Sequence, residues 1–211
     1  NHELGSNFND DPLWMILATA AYIKETGDVS ILDEMVPYEN KDELADTMLD
    51  HMKRAFNHVV RKVGPHGLPL SGRADWNDCL RLGANGESSF VALQFYLAMT
   101  ILKEFAENKG DADYVKYITE EQKKLGEKIQ KLCWNEDRFI RGFTEAGEVI
   151  GNRNDPEANM WLNPQSWAVI SGLADDKQAE LALGNVNKQL NTDFGLVLMD
   201  PPYQKHAFEG A

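Results

Sequence analysis

Cysteine is scarce in this chain: Cys79 and Cys133 are the only two in 211 residues. That is too few for the disulfide framework of a small secreted domain. Basic residues are outnumbered, 21 Lys and Arg against 34 Asp and Glu, for a formal charge of −13. So acidic a chain repels phosphate backbones, and nucleic acid is not an expected partner. An anionic substrate would have to be held by a local site against the overall field. No uninterrupted apolar run reaches about 18 residues, so no membrane span is expected. The start, NHELGSNFND, has neither the basic nor the apolar region of a signal peptide. The expectation is a cytoplasmic protein with reduced thiols. GxGxxG after a strand, a P-loop, HExxH and paired CxxC are all missing. His2, His51, His58, His66 and His206 are scattered, so no metal site is expected. The lack of an initiator Met and the abrupt FEGA ending suggest a piece of a longer polypeptide.

What is present is ordinary globular material, 43% hydrophobic and 26% charged, enough for about one to one and a half domains and one sizeable core. The pattern is helical. Residues 13–26 hold good helix formers, with Asp10 and Asp11 as cap candidates, Pro12 suited to the first turn and Gly27 as a stop. The segment is apolar nearly all round, which predicts an inner helix. Further helices are predicted over 42–63, 87–108, 112–133 and 177–190, the second built on Leu44, Met48, Met52, Phe56 and Val59. The short link around Gly110 predicts an antiparallel pair. Two stretches of about 20 residues, 64–84 and 142–162, lack helical periodicity, and loops of that length are usually functional. RFIRGFTEAGEVIG predicts a small hairpin around EAG. Short and long connections alternate, which suggests a layered helical barrel with the long loops at one mouth.

Chemistry concentrates in GLPLSGRADWNDCLRLG, residues 67–83, where Asp75, Trp76, Asn77 and Asp78 sit together on a Gly- and Pro-containing loop. A Trp between carboxylates suits a sugar: the indole stacks on a pyranose face, and a carboxyl accepts hydroxyls or protonates a glycosidic oxygen. The same residues could serve only as a capping loop, with Trp76 in the core. GSNFNDDPLW, residues 5–14, places Asn9, Asp10 and Asp11 at a helix start, where by themselves they read as N-capping residues. In NMWLNPQSWAVISG, residues 159–172, the Asn, Gln and Trp could line a wet pocket, but SWAVISG reads as a buried helix start. DFGLVLMDPPYQKHAF is strand-like before a Pro-Pro turn; Lys205 and His206 could meet an anion but read as solvated charges. Glu104 reads as a helix-face charge, and Glu136, Asp137 and Arg138 as turn charges.

GRADWNDCLRLGANGESSF resembles the active-site loop of the inverting cellobiose-type disaccharide phosphorylases, glycoside hydrolase family 94. FNDDPLWMILATAAYIKETGD and WLNPQSWAVISG resemble two further blocks of the same catalytic domain, in the same order. The resemblance implies an all-α fold, an (α/α)6-barrel catalytic domain incomplete over residues 1–211, with an N-terminal β-sandwich ahead of it and more barrel after it. It implies Asp78 as general acid, Trp76 as a shaper of the sugar subsites, and Asp11, rather than Asp10, as a sugar-hydroxyl ligand. An Arg that the family places a few residues before that Asp has no counterpart among Leu4, Gly5, Ser6 and Asn7. The phosphate-binding residues are expected beyond Ala211.

An inverting hydrolase needs two carboxylates about 6.5–9.5 Å apart, whereas a phosphorylase needs only the acid, since phosphate is already a nucleophile. Asp78 would then hold a proton, through burial or through Asp75 and the phosphate. The implied reaction is cellobiose plus phosphate giving α-glucose 1-phosphate and glucose. No cofactor or metal is needed, phosphate is a co-substrate, and the full-length protein is a possible homodimer. Cellodextrin, laminaribiose, chitobiose and cellobionic acid are alternative substrates, and a non-catalytic helical or carbohydrate-binding fragment is the alternative from another class.

Overall fold

The structure, a computed structural model, describes residues 8–38 and 41–204. His2, Lys205, His206 and the segment 4–7 lie outside the described residues. Six helices form the body: α1 (Asp11–Thr26), α2 (Met48–Arg61), α3 (Ser89–Asn108), α4 (Ala112–Cys133), α5 (Leu162–Ile170) and α6 (Asp176–Gln189). Eleven short strands join them, so the chain is mainly helical with small sheets rather than all-α. They are β1 (Met35–Tyr38), β2 (Lys41–Thr47), β3 (Glu87–Ser88), β4 (Trp134–Asn135), β5 (Arg138–Phe139), β6 (Gly142–Phe143), β7 (Val149–Ile150), β8 (Met160–Trp161), β9 (Asn191–Thr192), β10 (Gly195–Leu196) and β11 (Met199–Asp200).

α3 is the central helix. Phe90, Val91, Leu93, Phe95, Ala98, Met99 and Leu102 are buried on several sides of it. Its length and composition alone would let it cross a membrane, but 72% of its apolar window is buried inside the protein. Its apolarity is that of a core helix. Rings tie the neighbours to it: Phe95 meets Phe56 of α2 at 5.3 Å, and Phe90 meets Trp167 of α5 at 5.3 Å. α4 lies against it as the Gly110 turn predicts, with Gln122 Nε2 donating to Thr100 Oγ1 at 2.6 Å and to Tyr96 O at 3.1 Å. α1 differs from expectation. Leu13, Ile16, Thr19 and Ala20 are buried and Trp14, Met15, Leu17 and Ile23 pack partly buried against the same core, but Ala18, Ala21 and Tyr22 are exposed, so α1 borders the core rather than lying enclosed in it. Gly27 closes it at φ 72° with its N–H on Ile23 O, a conformation in which glycine lacks the Cβ penalty.

The predicted helix over 42–63 begins six residues late. Lys41–Thr47 pairs antiparallel with β1, and Leu44 is exposed. Thr47 accepts from Asp50 N and starts α2 there, so pairing with a neighbouring strand overrides a helix-forming composition. Glu87 and Ser88 are likewise strand, with the Ser88 hydroxyl capping α3 through Val91 N. The predicted hairpin is present as β6–β7, with Phe143 opposite Val149, and β3 extends it to three strands. Gly142 is needed where these strands cross, because a Cβ there would run into the carbonyl oxygen of Glu87. Glu136 and Asp137 form the turn of β4–β5, as their charge suggests, but Arg138 is buried and bonded to Asp137 and Asn159. The helix start read in SWAVISG lies further upstream, at Leu162. The strand-like run near the end provides β11, paired with β8.

Candidate active site

The loop between α2 and α3 is tied down before it reaches its polar tip. The buried Glu87 carboxylate accepts the N–H groups of His66 and Leu68, and His66 Nδ1 lies 2.5 Å from it. Ser71 N donates to Gly86 O at 2.9 Å and Ser88 N to Pro69 O at 3.1 Å. The tip is then fixed by Asp75. Asp75 is 1% exposed and Arg141 fully buried, and the guanidinium Nη2 donates to both carboxylate oxygens at 2.6 and 2.7 Å. Ser88 Oγ donates to Asp75 Oδ2 at 2.6 Å and receives Arg141 Nη1 at 3.1 Å. Asn77 N donates to Asp75 Oδ1 at 3.0 Å, which bends the chain sharply at Trp76. The Arg141 guanidinium also lies over the rings of Phe90 and Trp161, 5.9 and 5.6 Å from their centroids. Desolvated charges survive when matched in this way.

The consequence is at the surface. Trp76 is 57% exposed and Asp78 is exposed beside it, so the reading of Trp76 as a core residue fails. Asp75 does not cap a helix either; it is the internal anchor of the turn. Asp78 is exposed rather than buried, and the carboxylate of Asp75 is matched by Arg141.

The FNDDPLW block lies against this loop. Phe8 bridges Gly72, Asn9 N donates to Ser71 O at 3.3 Å, and Asn9 Nδ2 donates to Leu70 O at 2.9 Å. Asp10 makes no side-chain cap bond to α1; its Oδ2 accepts from Trp14 Nε1 at 2.9 Å. Burial pushes the Asp10 carboxyl up from its ordinary range, against the Trp14 bond that lowers it. Asp11, on the first turn of α1, is exposed. Trp14 in turn meets Trp167 of the third block edge-on at 5.7 Å. Gln165 of that block is structural: its Oε1 accepts from Phe139 N and its Nε2 donates to Phe139 O, both at 2.7 Å.

Asp11 therefore stands on the first turn of α1, beyond the Phe8 and Asn9 contacts to the loop that carries Trp76 and Asp78, while Arg141 and Ser88, which anchor that loop, were not among the residues expected from sequence. A signal for Arg141 existed: a single cation inside FIRGF, between residues that pack in the core, needs a buried acid. Among the described residues, no group of three or more His, Cys, Asp or Glu is placed to hold a metal ion.

The fold and site together define a helical domain that presents an exposed indole and a carboxylate, Trp76 and Asp78, on a rigidly anchored loop, an arrangement able to stack a sugar ring and to hydrogen-bond its hydroxyls. The chain belongs to the Glycosyl hydrolase 94 superfamily, whose catalytic-domain model matches residues 1–210. It is similar to N,N'-diacetylchitobiose phosphorylase of Vibrio proteolyticus, 34% identical over 96% of this chain and 25% of that protein. It is 33% identical to solabiose phosphorylase of Paenibacillus borealis over 94% of this chain and 26% of that protein. With cellobionic acid phosphorylase of Neurospora crassa the identity is 31%, over 93% and 25%. The chain thus spans about a quarter of the length of these relatives.

Proposed function

We propose that the protein carrying this chain is an inverting phosphorylase of a β-linked disaccharide, with cellobiose as substrate, and that the six helices form part of an (α/α)6 barrel. The observation that carries the reading is the turn 75–78, in which a buried Asp75–Arg141 pair holds Trp76 and Asp78 out toward solvent. Trp76 stacks on the sugar, Asp11 accepts hydroxyl hydrogens, and Asp78 is the general acid. A phosphate oxygen attacks the anomeric carbon from the face opposite the leaving group. The glycosidic C–O bond breaks, and the departing oxygen takes the Asp78 proton. The products are α-glucose 1-phosphate and glucose.

Phosphate is co-substrate and no cofactor takes part. Cytoplasmic action belongs to the proposal, in keeping with only two cysteines in 211 residues, too few for a disulfide framework. The relatives' names include N,N'-diacetylchitobiose, solabiose and cellobionic acid, which makes another β-linked disaccharide the second reading. Incubating the full-length protein with phosphate and each of cellobiose, N,N'-diacetylchitobiose, solabiose, cellobionic acid and laminaribiose, and measuring sugar 1-phosphate release, tests it. Cellobiose should have the highest kcat/KM. Release from a different sugar only would replace the substrate, and release from none would sink the reading.

A further inference from the structure

A cleft of about 520 Å³ opens where the end of α2 meets the loop leading to Trp76. Arg61, Lys62, Arg73 and Arg81 border it, together with Asn9. This gathering of cations stands against a formal charge of −13 for the whole chain. Among the described residues, Arg61, Arg73 and Arg81 are exposed and make no ion pair or side-chain hydrogen bond. Three arginines held together, with no ion pair among the described residues, make a local positive field that suits an anion. One carboxylate, Glu145, approaches the rim, where it accepts from Ala84 N at 3.1 Å and Asn85 Nδ2 at 3.0 Å; among the described residues it forms no ion pair with Arg61, Arg73 or Arg81.

The second observation is Asn9. It is 1% exposed, and its Nδ2 donates to Leu70 O at 2.9 Å and Lys62 O at 3.3 Å. Those two bonds fix the amide orientation and leave Oδ1 as a buried acceptor with no donor. An acceptor in that state is costly, and a hydroxyl satisfies it. A ligand meeting both demands carries an anionic group and hydroxyls, and the volume falls in the range of small-molecule sites.

We propose that this cleft binds a monosaccharide phosphate, its phosphoryl oxygens on the guanidinium groups and a ring hydroxyl donating to Asn9 Oδ1. Neither Trp76 nor Asp78 borders the cleft, so the proposal does not depend on the phosphorolysis reading. The test is calorimetric titration of the full-length protein with glucose 6-phosphate, inorganic phosphate and glucose. Two double variants, Arg61→Gln/Arg81→Gln and Lys116→Gln/Lys177→Gln, remove the same charge from different places; all four residues are exposed, so folding should survive. Glucose 6-phosphate should bind more tightly than phosphate or glucose. The arginine variant should weaken it about 4- to 25-fold, at about 2- to 5-fold per exposed cation, and the lysine variant less than about twofold. Equal loss in both variants would assign the effect to overall charge and overturn the site. Phosphate binding as tightly as the ester would remove the hydroxyl contact, and no binding would overturn the proposal outright. None of these outcomes changes if every disaccharide fails as a substrate.

Discussion

Removing the Arg141 guanidinium is the perturbation with the largest expected effect on this fold. Arg141→Met keeps much of the side-chain volume between Phe90 and Trp161 but leaves Asp75 at 1% exposure with only Ser88 Oγ and Asn77 N as donors. Breaking a buried pair from one side costs about 3–5 kcal/mol, because the remaining charge stays desolvated. Asp75→Asn alone should be comparably harmful, since it strands the cation. The double variant Asp75→Asn/Arg141→Met should be better than the sum of the singles by at least about 1–2 kcal/mol, because it strands neither charge. Urea unfolding of the full-length protein and its three variants, followed by circular dichroism, gives the cycle. Arg141→Lys should also destabilise, since an ammonium cannot reproduce the fork that meets both Asp75 oxygens and Ser88. A loss below about 1 kcal/mol for Arg141→Met, or strictly additive singles, would refute the argument that this pair anchors the loop.

Three further outcomes follow from the same geometry. Trp76→Ala should raise KM for the disaccharide about tenfold, an effect of about 1.4 kcal/mol, while leaving thermal stability nearly unchanged because Trp76 is exposed; a large drop in Tm would instead place it in the packing. Asp10→Asn keeps an oxygen for Trp14 Nε1 and removes a buried charge. The raised Asp10 carboxyl favours folding while protonated and loses that contribution as pH rises through its folded pKa, so the variant should be more stable than the parent at pH 7, with the gap closing below the ordinary carboxylate range. Unfolding midpoints at pH 3.5 and 7 read this directly, and a pH-independent gap would refute it. Residues 1–211 prepared alone should show no sugar 1-phosphate release, and a self-association signal in sedimentation, since Phe194, Leu196 and Ile170 are exposed; an active monomer would contradict this.

Much of the helical framework was legible in the sequence. α4 runs over the predicted residues, and α3 and α6 begin or end within two residues of expectation, because each has a side-chain cap and a continuous apolar stripe. The stretch 42–47 was misread because Glu, Leu and Ala suit a helix locally, and only its partner Met35–Tyr38 makes it a strand. The Thr47 and Asp50 spacing did carry the true start of α2. The DWND loop stood out as a loop with carboxylates and an indole, but which carboxylate is internal was not readable. Arg141 lies 66 residues from Asp75, and no local spacing reports a pair that distant. Likewise, Asp10 reads as a cap in sequence but is drawn inward by Trp14 one helical turn on.

Transfer of the Asp78 proton to the leaving oxygen is tested by comparing two substrates that differ in their need for it. Asp78→Asn in the full-length protein should lower kcat for cellobiose phosphorolysis about 10²–10⁴-fold with KM little changed. With an aryl β-glucoside whose leaving group needs no proton, such as the 2,4-dinitrophenyl glucoside, the same variant should lose far less rate. Equal losses on both substrates would show that Asp78 holds geometry rather than transferring a proton, and a variant that matches the parent on cellobiose would contradict the assignment altogether.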